Sequence, residues 1–278
     1  MIIGISGKKT VGKDTVGSII QFLTRTGCEH IQTYNDWKTV EKTTSAHTTF
    51  QNKKFADKLK DIVCILIGCS REDLEDEEFK NTLLGEEYDR YEVTYYSKNG
   101  ITRVYFNTRE EVGVFLKERR GSVINTQLIT MTPRKMLQLM GTQGFRRTIH
   151  ENIWVSSLMR EYKNDKQGDL PNWVVTDVRF KNEVEAIEKR GGIVIRVNRD
   201  TDSTDEHESE TELNNHEFNY VIDNNGSLEE LIEQVKDILS KEGIDITNSV
   251  DNRVFVRNIV GSRNVTTDID EILVCAVS

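Results

Sequence analysis

The chain has 278 residues, 36% hydrophobic and 30% charged, with a formal net charge of −9. That length allows one large domain with insertions or two modest ones, and the acidic balance argues against sequence-independent nucleic-acid binding, which needs a basic face. No apolar run nears the roughly 20 residues that span a bilayer, the longest being Ile62–Ile67, and the start lacks a charged-then-apolar signal pattern, so no membrane partner and a cytoplasmic location are expected.

The chain opens with Ile2, Ile3 and Ile5, a short buried-strand run, and then Gly7-Lys8-Lys9-Thr10-Val11-Gly12-Lys13-Asp14-Thr15. Gly7 to Lys13 satisfies the G-x-x-x-x-G-K pattern, in which glycines let successive N–H groups face an anion and the lysine adds a point charge. Val16, Ile19, Ile20 and Leu23 follow as one helical face, so the loop has a strand before it and a helix after it. Gly7, Lys8, Val11, Gly12, Lys13, Asp14 and Thr15 are therefore the residues expected to hold a nucleoside triphosphate. Asp14 stands where the pattern has Ser or Thr, and Thr15 comes one later; both are candidate magnesium ligands.

Thr24 to Gln51 is polar without periodicity and reads as loop with at most one short strand. Phe55, Leu59, Ile62, Val63, Leu66 and Ile67 then share a helical face closed by Gly68, and Ser70 to Tyr91 reads as one solvated helix or two short ones. Tyr91–Tyr96 and Ile101–Phe106 flank Asn99-Gly100, a strong hairpin signal. After a linker, Thr132 caps a short helix with Pro133 at its first position and Gly141 near its end, and a second helix runs from about Ile149 to Tyr162.

An α/β rhythm returns with the strand Trp173–Asp177, a helix from Asn182 to Arg190 stopped by Gly191-Gly192, and the strand Ile193–Val197. Tyr220–Ile222 is the last strand of this series, followed by a helix from Ser227 with the capping-box partner Glu230, ending at Gly243. Beyond it lie polar sequence and two β-prone runs, Arg253–Val256 and Ile272–Val277. Cys28, Cys64, Cys69 and Cys275 have neither C-x-x-C spacing nor paired histidines, which fits free thiols rather than zinc.

In parallel-sheet nucleotide folds ligands bind beyond the carboxyl ends of the strands. Asp177, at such an end, is thus expected to face the loop, with Arg179 two residues on to grip a phosphate and Glu183 six residues on to orient it or to bond the other substrate. Arg134 and Lys135, at a helix start, are candidates for an acceptor phosphate. Arg146 and Arg147 read equally well as a lid or as solvated charge, and Trp154 as a base platform or a core plug.

With these residues assembled, the chain resembles the deoxynucleoside monophosphate kinases of tailed bacteriophages. The resemblance rests on Gly7 to Thr15, Phe55-Ala-Asp-Lys-Leu-Lys60, Pro133-Arg134-Lys135 with Trp154, Asp177-x-Arg179-x-x-x-Glu183, His207-x-Ser209-Glu210 and Asp223-Asn-Asn-Gly226. It implies ATP and Mg²⁺ as cofactors, a deoxynucleoside monophosphate as the small-molecule substrate, and the host cytoplasm as the compartment. Lys13, Arg134, Asp177 and Arg179 would serve catalysis, while Arg134, Lys135, Trp154, Asp177, Arg179 and Glu183 would meet the monophosphate.

The implied fold is α/β, a three-layer P-loop kinase fold with a parallel central sheet. Its kinase domain would be 1–244, with core at about 1–31 and 150–244 and a helical and hairpin insert at about 32–149 forming the monophosphate-binding and lid regions. A C-terminal β extension would occupy 245–278, and a homodimer is a possible assembly. Other small-molecule P-loop kinases, resembling dephospho-coenzyme A kinase or phosphomevalonate kinase, remain open as alternatives, as do a P-loop ATPase and a nucleotide-binding assembly module.

Overall fold

The structure, a computed structural model, describes residues 1–26, 31–44, 48–119, 121–163, 168–200 and 212–246. Ile2–Ser6 forms β1, buried over its whole length. A continuous apolar run of this kind belongs in a parallel sheet covered on both faces. β1 is the middle of such a five-stranded sheet, with β2 (Phe50–Lys53), β6 (Asn172–Val178), β7 (Ile193–Asn198) and β8 (Tyr220–Asp223) in the order β2-β6-β1-β7-β8. All pairings are parallel, and Ile3 lies opposite Val174 on one side and Ile193 on the other. The chain leaves β1 for the β2 edge and, after β6, crosses β1 to reach β7 on its other side, a reversal that puts the ligand cleft at the carboxyl ends of β1 and its neighbours.

Helices α1 (Lys13–Leu23) and α8 (Leu228–Lys241) cover one face, packing Val16, Ile19, Ile20, Val235 and Leu239 against Ile3 and Ile5. On the other face α6 (Ile153–Met159) and α7 (Lys181–Glu188) pack Val155, Leu158, Val184 and Ile187 around Ile2, Trp173 and Val175. Each fully buried aliphatic side chain contributes roughly 1.5–3 kcal/mol, so these two layers hold the sheet. The three-layer α/β architecture is as expected. Among the described residues, no helix is long and apolar enough to cross a membrane.

The polar stretch read as loop contains a helix, α2 (Tyr34–Thr44), as well as β2. Few apolar residues signal it, but Tyr34 and Trp37 both bury against Phe22 of α1, with ring centroids 5.9 and 6.4 Å apart. Thr33 caps it, its Oγ1 accepting from Asp36 N at 3.1 Å. β2 also draws the edge of the central sheet from within the range expected to be insert.

Helix α3 (Asp57–Ile67) ends at Gly68 as expected, with only Leu59 and Val63 fully buried. The acidic stretch after it forms three short 3-10 turns, 73–75, 79–81 and 86–88, rather than α-helix. The hairpin is present: β3 (Arg90–Ser97) and β4 (Gly100–Phe106) pair antiparallel from Ser97↔Gly100 to Tyr91↔Phe106.

The expected linker instead holds α4 (Arg109–Glu118) and β5 (Val123–Ile129). β5 completes a three-stranded sheet, β4-β3-β5, and α4 covers one face through Phe115, whose ring lies 5.2 Å from Tyr95 and 5.1 Å from Phe106. The capping box between Thr108 and Glu111 starts α4, a signal that the reading of this stretch as a linker passed over. β5 had none, because its centre, Asn125-Thr-Gln127, is polar and exposed.

Helix α5 (Pro133–Gln138) does not stop at Gly141 but continues as π-helical turns over Leu139–Arg147. The Trp154 indole donates to Gly141 O at 2.9 Å and its ring packs 5.0 Å from Phe145, anchoring the widened turns. α6 is correspondingly shorter than the helix expected from 149 to 162. Runs 253–256 and 272–277 and the His207-x-Ser209-Glu210 motif lie outside the described residues.

Candidate active site

The loop after β1 is shaped by backbone conformations that side chains resist. Gly7 has φ 154°, and a Cβ there would lie 2.7 Å from Val197 O; Gly12 has φ 97°, and a Cβ there would lie 2.6 Å from Asn224 Nδ2. Between them Thr10 takes φ 66°, the one positive-φ non-glycine residue among those described, and Val11 is buried in the core. Asn224, just past β8, donates from Nδ2 to Val11 O at 2.8 Å and so braces the loop from the far end of the chain. Gly12 also caps α1 without a side chain, leaving the helix start suited to an anion.

Lys13 lies back over this loop, its Nζ donating to Gly7 O at 2.7 Å and Lys8 O at 2.5 Å. Burial, with the like charge of Arg179, pushes its ammonium down to about 7 against the pull of Asp14 and Asp177. Asp14 accepts from Thr176 Oγ1 at 2.7 Å and pairs with Lys54 Nζ at 2.8 Å. Loss of solvation raises the Asp14 carboxyl, but the Lys54 charge and the bonds from Lys54 and Thr176 outweigh it and hold it below the ordinary value.

Asp177, at the end of β6, faces the same cleft. Its two oxygens accept from Phe55 N and Ala56 N, both at 2.9 Å, so it bolts the entry of α3 to the sheet. Burial raises its carboxyl despite those bonds. Glu183 bends back to accept from Arg179 N at 2.8 Å and Phe180 N at 3.1 Å, fixing the turn that carries Arg179. Its other oxygen pairs with Arg146 Nη2, whose guanidinium stacks 3.8 Å from the Phe180 ring. Burial, joined by the Asp177 charge, pushes Glu183 up to about 7 against the pull of Arg146.

Arg134 donates from Nε to Asn81 Oδ1 at 3.0 Å and from Nη2 to Glu77 Oε2 at 2.6 Å, while Lys135 Nζ turns to Thr130 O at 2.8 Å. Trp154 is only 5% exposed and belongs to the cluster with Leu59, Val63 and Leu74. That is the core-plug alternative: Trp154 holds the π-helical turns rather than lining the cleft. Arg146, read as equally lid or solvated charge, is in the buried pair with Glu183.

A cavity of about 460 Å³ opens beside that pair, lined by Thr142, Arg146, Arg147, His150, Phe180 and Asn182 among others. A second, of about 510 Å³, is lined by Asp223, Glu229, Glu230 and Glu233 and would repel phosphates. Sequence reasoning missed Lys54, Glu77 and Asn224. Lys54 and Asn224 had a weak signal, each standing just past the carboxyl end of an edge strand of the parallel sheet; Glu77 had none within its acidic stretch.

Magnesium needs one or two carboxylates plus phosphate oxygens and water. Among the described residues no group of three or more acidic, His or Cys side chains forms a cation site. Asp14 takes Thr176 and Lys54 on one oxygen, Oδ1, and as a carboxylate beside Thr15 at the loop's end it is the type of oxygen donor such an ion takes.

Residues 1–235 match the family described as Deoxynucleotide monophosphate kinase. Among curated proteins, the chain is 36% identical over 123 residues to the deoxynucleotide monophosphate kinase of Escherichia phage RB69, covering 44% of this chain and 50% of that protein. It is 35% identical over 115 residues to a putative deoxynucleotide monophosphate kinase of Acanthamoeba polyphaga mimivirus, covering 37% and 59%. To the deoxynucleotide monophosphate kinase of Enterobacteria phage T4 it is 29% identical over 132 residues, covering 47% and 55%. The chain thus spans about half the length of the curated relatives it matches. A family match that runs from β1 through most of α8, over a five-stranded parallel sheet with a glycine-framed phosphate loop, makes this chain a member of the deoxynucleotide monophosphate kinase family.

Proposed function

We propose that the chain transfers the γ-phosphoryl group of ATP to a deoxynucleoside 5'-monophosphate in the host cytoplasm. The reading rests on one observation above the rest: the loop carrying Lys13 adjoins, at the carboxyl ends of β1, β2 and β6, a charged cluster of Asp14, Lys54, Asp177 and Arg179. An acceptor phosphate oxygen attacks the γ-phosphorus in line, the bond from that phosphorus to the bridging oxygen breaks, and ADP leaves. The nucleophile is already an anion, so positioning and charge neutralisation carry the catalysis rather than a strong base.

In this reading Lys13 swings from the loop carbonyls to the transferring group, and the loop amides and α1 hold the phosphate chain. Arg179, set by Glu183, and Arg134 offset the repulsion between the two anions. Lys135 adds charge on the acceptor side, and Trp154 acts through the segment it supports. Asp14 and Thr15 would hold Mg²⁺, which when bound neutralises charge on the phosphate chain.

The test is ADP formation from ATP and magnesium with each deoxynucleoside monophosphate in turn, and with the ribonucleotides, against a blank without acceptor and against Lys13→Ala. Turnover that needs an acceptor and vanishes in Lys13→Ala supports the reading and gives its base range. Turnover equal to the blank with every acceptor sinks it.

A further inference from the structure

Three cations from separate segments converge on one carboxylate. Glu77, between the 3-10 turns at 73–75 and 79–81, accepts at Oε2 from Lys9 Nζ at 2.9 Å and from Arg134 Nη2 at 2.6 Å, and at Oε1 from Lys80 Nζ at 3.1 Å. Lys9 belongs to the phosphate loop and Arg134 to α5. One oxygen therefore ties the donor loop to the acceptor-side arginine. Burial works to raise the Glu77 carboxyl, but the bonds from Lys9 and Lys80 and the charges of Lys80 and Arg134 outweigh it and hold the group at about 2.

The geometry at Arg134 gives this link its meaning. Nε and Nη2 share one edge of the guanidinium, and that edge is taken by Asn81 Oδ1 and Glu77 Oε2. Asn81 is itself held, its Nδ2 donating to Glu77 O at 2.7 Å. A guanidinium gripped along one edge is pre-oriented along the other, where a phosphate is taken with two parallel bonds. Glu77 cancels only part of the charge, since Lys9, Lys80 and Arg134 outnumber it, so the cluster still attracts a phosphate dianion.

We propose that Glu77 is a positioning residue for the acceptor phosphate: with Asn81 it fixes Arg134, and through Lys9 it registers that arginine against the phosphate loop. The proposal rests on the reading of Arg134 as an acceptor ligand.

Glu77→Gln removes the charge and keeps the shape, and at 57% side-chain exposure the site tolerates it in the folded protein. The acceptor KM rises about tenfold, with kcat within about threefold and the KM for ATP within about twofold, the pattern of lost binding rather than lost chemistry. Asn81→Ala shifts the acceptor KM in the same direction by about threefold, as expected for a neutral contact. In an Arg134→Ala background, Glu77→Gln changes the acceptor KM no further.

An unchanged or lowered acceptor KM in Glu77→Gln, alongside a large rise in Arg134→Ala, overturns the positioning role and leaves the acceptor site standing. An unchanged acceptor KM in Arg134→Ala overturns both. A thermal melt of Glu77→Gln that matches the parent within a few degrees separates positioning from general loss of structure.

Discussion

On the proposed reading the donor side of the cleft is a backbone device, and the acceptor side is a side-chain one. From Gly7 to Thr15 the groups that face an anion are consecutive, set by two glycines in conformations a Cβ forbids and by a core-buried Val11 between them. The side read as the acceptor's is built from pairs of side chains, Arg134 of α5 with Glu77 and Asn81 around the 3-10 turns, and Arg146 of the π-helical turns with Glu183 of α7. A backbone cradle recognises what all nucleoside triphosphates share. A lattice of side chains can change one residue at a time, so under the proposed function discrimination between acceptors belongs on that side.

Substitutions should respect this division, beginning with the largest effect. Lys13→Ala is expected to lower kcat by at least about a hundredfold, as for loss of a preorganised charge at a transferring group, measured by coupled ADP release. A kcat within a few-fold of the parent would erase the distinction on the donor side. Glu183→Ala leaves Arg146, 9% exposed, as an uncompensated buried charge. Breaking a buried pair from one side costs about 3 kcal/mol or more, which lowers the melting temperature by roughly 6 °C or more in a chain of this size.

A smaller effect follows from Asn224→Ala, which takes the donor from Val11 O. A lost bond of this kind is worth about 1 kcal/mol, read as a KM for ATP several-fold higher with the acceptor KM unchanged. A matching rise in both constants would mean the two sides are not separable at this point.

A further expected effect depends on pH. Lys13 is at about 7 in the folded protein, against an ordinary 10.5 in the unfolded chain. Between those values the unfolded chain binds more protons, so the folded state gains stability as pH rises. The cost of keeping Lys13 charged is present in full below about 7 and fades toward pH 10. Lys13→Met lacks this dependence, so the melting temperature of the parent relative to this variant should rise between pH 7 and pH 10. A constant difference would show that Lys13 is not desolvated by its seat on the loop.

The same division explains what the sequence made legible. β1, the loop, α1, β6 to β8 and α8 carry their own signals, apolar runs, glycine spacing and a capping box, because their geometry is local. α2 escaped notice since two aromatic residues, Tyr34 and Trp37, do the work of a longer apolar stripe by packing on Phe22. β5 escaped because a sheet with one covered face accepts polar residues on its edge strand. At the site, the charged residues around Asp177 could be picked out by type, but their partners could not. The short reach of Glu183 to the turn carrying Arg179 fits the spacing, but that Asp177 bonds the backbone before α3 and that Glu183 also pairs with Arg146 are facts of long-range packing that spacing does not encode.

β2 and β6 are neighbours in the sheet, and everything from residue 54 to 171 is the connection between them. Both ends of that connection are pinned, one by the sheet itself and the other by the bolt from Asp177 to Phe55 and Ala56. The entropy of closing a loop grows only with the logarithm of its length, about 0.6 kcal/mol per doubling. The central strands therefore feel little of how long or how elaborate that connection becomes. On the proposed reading, the part of the connection before α6, whose Val155 and Leu158 pack on the sheet, can be lengthened, trimmed or exchanged while the phosphate loop keeps its register.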